Sequence, residues 1–367
     1  MQPRSALAVF AVIALFVAGG ALADPADARR SPHKAMWGPA TVDGVSQFPI
    51  YKDLGVTIYQ EGLSWRNVAT RRPREPKNPS DPAYEWPASL DRAVAEARRY
   101  KMRVMLLVIG APGWSNKQRA YNFAPTRAAD YADFMTAAAR RYPGVNLWEI
   151  WGEPSRKPNF APLTPVKPGR PLNAKQASAP RRYARLLDAA YSALKRNSPR
   201  NLVIGGNTYT TGDISTRQWI RHMRLPNGRP PRMDLYGHNP FSFRRPDLRN
   251  PQSPVGVIDF SDLGRLAVRV NRELAPKGKR IRLYLSEFTL PTYDDPEFNF
   301  HVSLRTQASW IRSATRVVRT LRSTPRASRT VYSFGWIHLR DIPDVTGGGL
   351  LFSNGRKKPG YFAFKAG

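Results

Sequence analysis

Eight short apolar runs, most of them followed by a stretch of helical periodicity, leave this chain few architectures. The runs are 34–37, 56–59, 104–109, 146–151, 202–205, 233–236, 281–286 and 331–336. Each is short and rich in β-branched or aromatic residues, as strands are. Between them, segments 45–54, 87–100, 126–141, 180–196, 214–223, 261–274 and 302–321 read as helices. In the last, Leu304, Ala308, Ile311, Ala314, Val318 and Leu321 share one stripe. Ser261-Asp262 offers a cap for the helix before it. Alternating strand and helix implies a parallel sheet. Eight such units fit a single closed (β/α)8 TIM barrel with long βα loops over residues 24–367. No glycine-rich phosphate loop follows the first strand, which argues against an open dinucleotide-binding sheet.

The long connections, 63–86, 155–179, 239–259 and 289–300, all follow strands. In a barrel such loops build the wall of the active-site face. Two glutamates stand where a strand gives way to one of these loops. Gly152 and Pro154 break the fourth strand around Glu153, and Glu287 ends the seventh. Two carboxylates at the same ends of two strands suit acid–base or nucleophilic work on a sugar acetal. Glu149 lies deeper in the fourth strand and is expected to be a buried partner for Arg103, and Glu61 is a further rim carboxylate. No His/Asp/Glu cluster has metal-site spacing and no Gly-x-Ser-x-Gly elbow occurs, so neither a metal nor another cofactor is expected.

Arg4, the apolar run 6–17 and Ala21-Leu-Ala23 have the pattern of a signal peptide (1–23) cleaved after Ala23, which makes the protein secreted; the alternative is an uncleaved anchor. With no cysteine, thiolate chemistry and disulfides are excluded, and the core alone must stabilise the fold. Lys and Arg number 58 against 27 acidic residues, a net charge of +31. A polyanion is therefore a candidate partner, against the alternative of a generic arginine-rich surface. Neither a zinc finger nor an RNA-binding signature is present, so no specific nucleic-acid partner is expected.

The segment Trp148-Glu-Ile-Trp-Gly-Glu-Pro154 resembles the Asn-Glu-Pro segment of glycoside hydrolase clan A, and Leu285-Ser-Glu-Phe288 resembles its nucleophile strand. Tyr84-Glu-Trp-Pro-Ala-Ser-Leu-Asp91, Ala111-Pro-Gly-Trp114 and the terminal Leu350 to Tyr361 are similar to family 39 and its cellulase-like relatives. The resemblance implies a retaining glycosidase with Glu153 as acid/base, Glu287 as nucleophile and an oligo- or polysaccharide substrate. Acid function at Glu153 calls for an apolar or anionic neighbourhood, which Trp151 and Glu287 are expected to supply. Trp114 and Trp336 are sugar platforms in that pattern; as generic tryptophans they are core residues. His238 bonds the nucleophile or a sugar hydroxyl, or is structural. Gly152 departs from the family's Asn, which normally bonds the sugar 2-hydroxyl. Asn207 takes over that contact or is a turn residue. Three functions follow as expectations: a hydrolase, a glycan-binding barrel without efficient turnover, or a polyanion-binding surface protein.

Overall fold

The computed structural model describes residues 32–296, 298–321 and 330–367. The expected signal peptide lies outside the described residues. Eight strands form a closed barrel: β1 (His33–Trp37), β2 (Ile58–Ser64), β3 (Arg103–Ile109), β4 (Leu147–Ile150), β5 (Leu202–Tyr209), β6 (Leu235–Asn239), β7 (Arg282–Leu285) and β8 (Val331–Trp336). Neighbours in sequence pair in parallel, and β1 pairs with both β2 and β8 to close the ring. Helices α1 (Phe48–Asp53), α2 (Ala88–Arg99), α3 (Ala128–Arg141), α4 (Ser178–Asn197), α5 (Thr216–His222), α6 (Leu263–Leu274), α7 (Leu304–Thr320) and α8 (Pro359–Ala366) follow the strands in turn.

Each strand sends one residue into a layer across the barrel interior: Ala35, Ile58, Met105, Leu147, Ile204, Leu235, Tyr284 and Tyr332. Side chains alternate along a strand, so steps of two from this layer lead up the lumen and the intervening residues face the helices. Met36, Tyr59, Trp148, Tyr236 and Leu285 accordingly lie in the outer core, and in β8 a register shift between Val331 and Ser333 resets the alternation after Tyr332, so that Trp336 joins them. The helix stripes close over them. In α7, Ala308, Ile311, Ala314 and Val318 are buried, and the Ser303 side chain caps the helix by accepting from the Thr306 N–H. A capping box between Asp259 and Asp262 precedes α6, two residues upstream of the cap read from sequence.

The structure adds elements that the sequence pattern does not mark, among them short helices Trp65–Val68 and Gly113–Asn116 after β2 and β3. Segment 45–54 begins with a two-stranded hairpin, Thr41–Val42 with Val45–Ser46, and the helix starts only at Phe48. Asp43 and Gly44 have φ of 49° and 77°, the left-handed pair that a tight hairpin turn demands. Helix α8 was not anticipated. Pro359 opens it, and Phe364 packs against Phe334 and Trp336.

Candidate active site

At the exit of β4 the backbone is strained. Trp151 and Glu153 have φ of 64° and 42°, and Asn207, at the exit of β5, has 36°. Left-handed non-glycine residues cost on the order of 1–3 kcal/mol each and cluster where function requires them. Trp151 stays attached to the barrel through its N–H to Val108 O (3.1 Å), with its ring on Phe160 and its Nε1 donating to Asn159 O (2.7 Å). Glu153 is buried, and its carboxylate reaches Asn239 at the end of β6.

Both Glu153 oxygens are held. Asn239 Nδ2 donates to Oε1 at 2.9 Å from the end of β6. Arg156 donates to Oε2 at 2.5 Å and Asn159 Nδ2 at 3.2 Å, both from the loop after β4. Asn239 Oδ1 in turn accepts from Ser286 Oγ (2.8 Å), and Ser286 is the residue before Glu287. Below it, Gln60 Nε2 donates to Ser286 O (2.9 Å) while Tyr284 donates its hydroxyl to Gln60 Oε1 (2.9 Å). A buried chain of amides and hydroxyls thus ties Gln60 of β2 to the exits of β4, β6 and β7. Gly335 completes the junction: a Cβ there would lie 2.1 Å from Ser286 O, so only glycine lets β8 pass the β7 exit. Glu287 itself is half-buried between the buried Ser286 and Phe288.

The remaining expected residues fall in different surroundings. Asn207 sits on a bulge where the β5–β6 register shifts, and its buried Oδ1 has no hydrogen-bond partner among the described residues. His238 is turned outward and fully buried. Its Nε2 donates to Ile258 O (3.0 Å), so its Nδ1 accepts from Thr208 Oγ1 (2.9 Å). Burial pushes this imidazole down to about 4, and it bonds neither glutamate. The inward residue on β6 is its neighbour Asn239. Trp336 corrects the platform expectation. Because Ala35 and Met36 pair with Gly335 and Trp336, the tryptophan shares the outer face with Met36. It is fully buried on Phe288 and Phe364, with Nε1 donating to Gly348 O (3.0 Å). Trp114 stands edge-on to Trp65, donates to Ala69 O (2.8 Å) and carries the Arg72 guanidinium 5.4 Å from its ring centre. Glu61 accepts from Tyr59 (2.6 Å) on the outer face.

The expected Glu149–Arg103 pair is also absent. Arg103 donates to Asn146 Oδ1 (3.0 Å) and Tyr332, whereas both Glu149 oxygens are buried without a hydrogen-bond partner among the described residues. Burial, reinforced by the charge of Glu153, raises the Glu149 carboxyl to about 8. Around Glu153, the hydrogen-bond partners are Arg156, Asn159 and Asn239.

The aromatic surface sequence reasoning missed is built from smaller rings. Tyr209 carries the Arg156 guanidinium at 4.5 Å and packs on Phe241 (5.2 Å), which meets Phe298 (5.3 Å); Phe300 and the exposed Phe243 extend the row. All stand at or after the exits of β5, β6 and β7, the rim the sequence assigns to the cleft. Part of the basic rim is neutralised. Arg244 forks onto Asp259 (2.6 and 3.1 Å) and Arg245 donates to Ser313, while Lys157, Lys167 and Arg170 stay exposed.

No family model and no curated protein matches the sequence. Solved structures do match the fold. A family 39 glycoside hydrolase from the gut symbiont Bacteroides cellulosilyticus WH2 superposes with a TM-score of 0.61 at 17% identity, over 93% of this chain and 64% of the other. A glucosidase from Croceicoccus marinus gives 0.59 at 15%, over 92% and 65%. A monomeric beta-xylosidase from Caulobacter crescentus CB15 gives 0.60 at 16%, over 92% and 68%. The chain therefore spans roughly two thirds of the length of these proteins, and over that span its (β/α)8 barrel is similar in fold to theirs.

Proposed function

We propose that this protein is an exported, retaining glycoside hydrolase acting on an anionic glycan, with Glu153 as acid/base and Glu287 as nucleophile. The observation that carries the reading is the Glu153–Asn239–Ser286 chain, which fixes the acid/base candidate relative to the backbone that bears Glu287. In this scheme Glu287 attacks the anomeric carbon as Glu153 protonates the departing oxygen, and Glu153 then deprotonates the water that releases the glycosyl-enzyme. Such a double displacement needs carboxyl groups about 5–5.5 Å apart. Asn207, with its open buried amide oxygen, is the group in this reading that meets a sugar hydroxyl in place of the family's Asn at position 152. Of the aromatic row, the partly exposed Tyr209 and Phe300 and the exposed Phe243 supply apolar faces for pyranose rings in this reading.

A second reading, a glycan-binding barrel without efficient turnover, is favoured by Gly152 and by the Arg156 contact on Glu153. Screening the purified protein against acidic and neutral oligosaccharides and aryl glycosides separates the two. The hydrolase reading expects product from at least one, abolished by Glu287→Ala in a protein that still melts cooperatively. Binding without product, or activity within a few-fold of the parent in that variant, contradicts it.

A further inference from the structure

Arg156 occupies the oxygen that an acid catalyst needs free. Of the two Glu153 oxygens, Oε1 is held by Asn239 on a barrel strand, whereas both donors to Oε2 come from the loop after β4. The partners also differ in exposure. Glu153 is buried, but the Arg156 side chain is 32% exposed, lying over the Tyr209 ring on its way to solvent. A guanidinium is a planar fork of donors that fits a carboxylate by two parallel bonds. The aromatic face beneath it holds the cation after it leaves Glu153. The same loop carries exposed Lys157, Lys167 and Arg170.

We propose that Arg156 is a charge-reading latch. The carboxylate of a uronate-containing glycan takes the guanidinium from Glu153 Oε2, and Glu153 takes up one proton from solvent as that substrate binds. This deepens the hydrolase reading, because it rests on Glu153 being the acid. The charges balance. The free site holds the Glu153 anion against the Arg156 cation. The incoming carboxylate pairs with Arg156, and two adjacent anions would remain unless Glu153 gained a proton. A neutral glycan leaves the ion pair closed.

The other groups around Glu153 do not replace the latch. Asn159 and Asn239 are uncharged. Glu149, two strand steps below, is protonated below about pH 8 and adds no charge there. Glu287, after β7, is replaced by glutamine in the protein used for the test and so carries no charge there. On the β5 side, Tyr209 lies under Arg156 and Asp213 accepts from the Lys157 backbone N–H (2.7 Å). His238 on β6 is turned to Thr208 and Ile258.

The test uses the full chain carrying Glu287→Gln, which holds substrate uncut. Oligosaccharides from pectin, alginate, hyaluronan and glucuronoxylan are compared with their carboxyl-reduced counterparts by calorimetry at pH 7 in buffers of different ionisation enthalpy. At least one acidic member is expected to bind tenfold or more tightly than its reduced form, with uptake of about one proton, and the reduced form with none. Adding Arg156→Gln should remove both the preference and the uptake. Adding Glu153→Gln instead should remove the uptake and keep the preference, because the guanidinium is then already released. Equal binding of every acidic and reduced pair, no binding by any acidic member, or unchanged proton uptake without Arg156 would each overturn the latch. Turnover by the parent enzyme tests the hydrolase reading separately, so either can fail alone.

Discussion

Glu149 and Glu153 are four residues apart, and what separates them chemically is the company their oxygens keep. Glu153 meets Arg156, Asn159 and Asn239, whereas Glu149 points into the lumen with no hydrogen-bond donor to either oxygen among the described residues. Burial and the charge of Glu153 hold the Glu149 proton up to about pH 8, against an unfolded value near 4.5. The sign of the consequence follows from linkage. A group raised in the folded state contributes stability that is fully present below its unfolded value and is lost as pH rises through its folded one. The loss amounts to ~1.4 kcal/mol for each pH unit over which only the unfolded chain is ionised. Glu149→Gln keeps the shape and removes the titration. Its melting temperature should match the parent near pH 4.5 and exceed it progressively up to pH 8. An offset independent of pH would show that Glu149 does not titrate in this window.

At the scale of the element, strand parity decided which sequence expectations survived. Alternation, strand length and helix stripes are local properties, and they placed all eight strands and the order of seven helices. They also placed Glu153 and Glu287 at strand exits. The platform role of Trp336 is implied by the family resemblance and the role of His238 by its strand-end position, but which side of the wall a residue faces depends on register. Counting by two from Leu235 reaches Gly237 and Asn239, so Asn239 was within reach of the sequence. The bulge at Gly206-Asn207 was not, because it arises from the pairing of β5 with β6. Nor was the loop geometry that brings Arg156 and Asn159 onto Glu153. The assignment of Trp336 to the core has a measurable consequence. Trp336→Ala should destabilise the protein by about 3–5 kcal/mol, as large-to-small core changes do, while KM at a temperature where it remains folded stays within about twofold. A large rise in KM with little loss of stability would return Trp336 to the cleft.

For the whole molecule, the net charge of +31 makes the field around the barrel a matter for function as well as solubility. Arg244 is committed to Asp259, so the field at the rim comes from Lys157, Lys167 and Arg170 together with the remaining basic surface. Surface charges are screened over roughly 8 Å at physiological ionic strength. Raising salt should therefore lower kcat/KM on an acidic oligosaccharide by slowing encounter, with kcat nearly unchanged. A neutral substrate should be almost insensitive. Equal salt dependence on both would make the basic surface generic.

The account turns on two carboxylates dividing one reaction between them, and Glu153→Ala with added azide tests that division most directly. The variant should lose most activity on substrates with poor leaving groups and far less on an activated aryl glycoside, whose departure needs no acid. Its stalled glycosyl-enzyme should be released by azide, an anion that attacks without base assistance. Two displacements at one carbon restore the starting configuration, so NMR of the product is expected to show a glycosyl azide of the same anomeric configuration as the substrate. An azide product of inverted configuration, or no acceleration by azide at all, would contradict the assignment of Glu153 as acid/base.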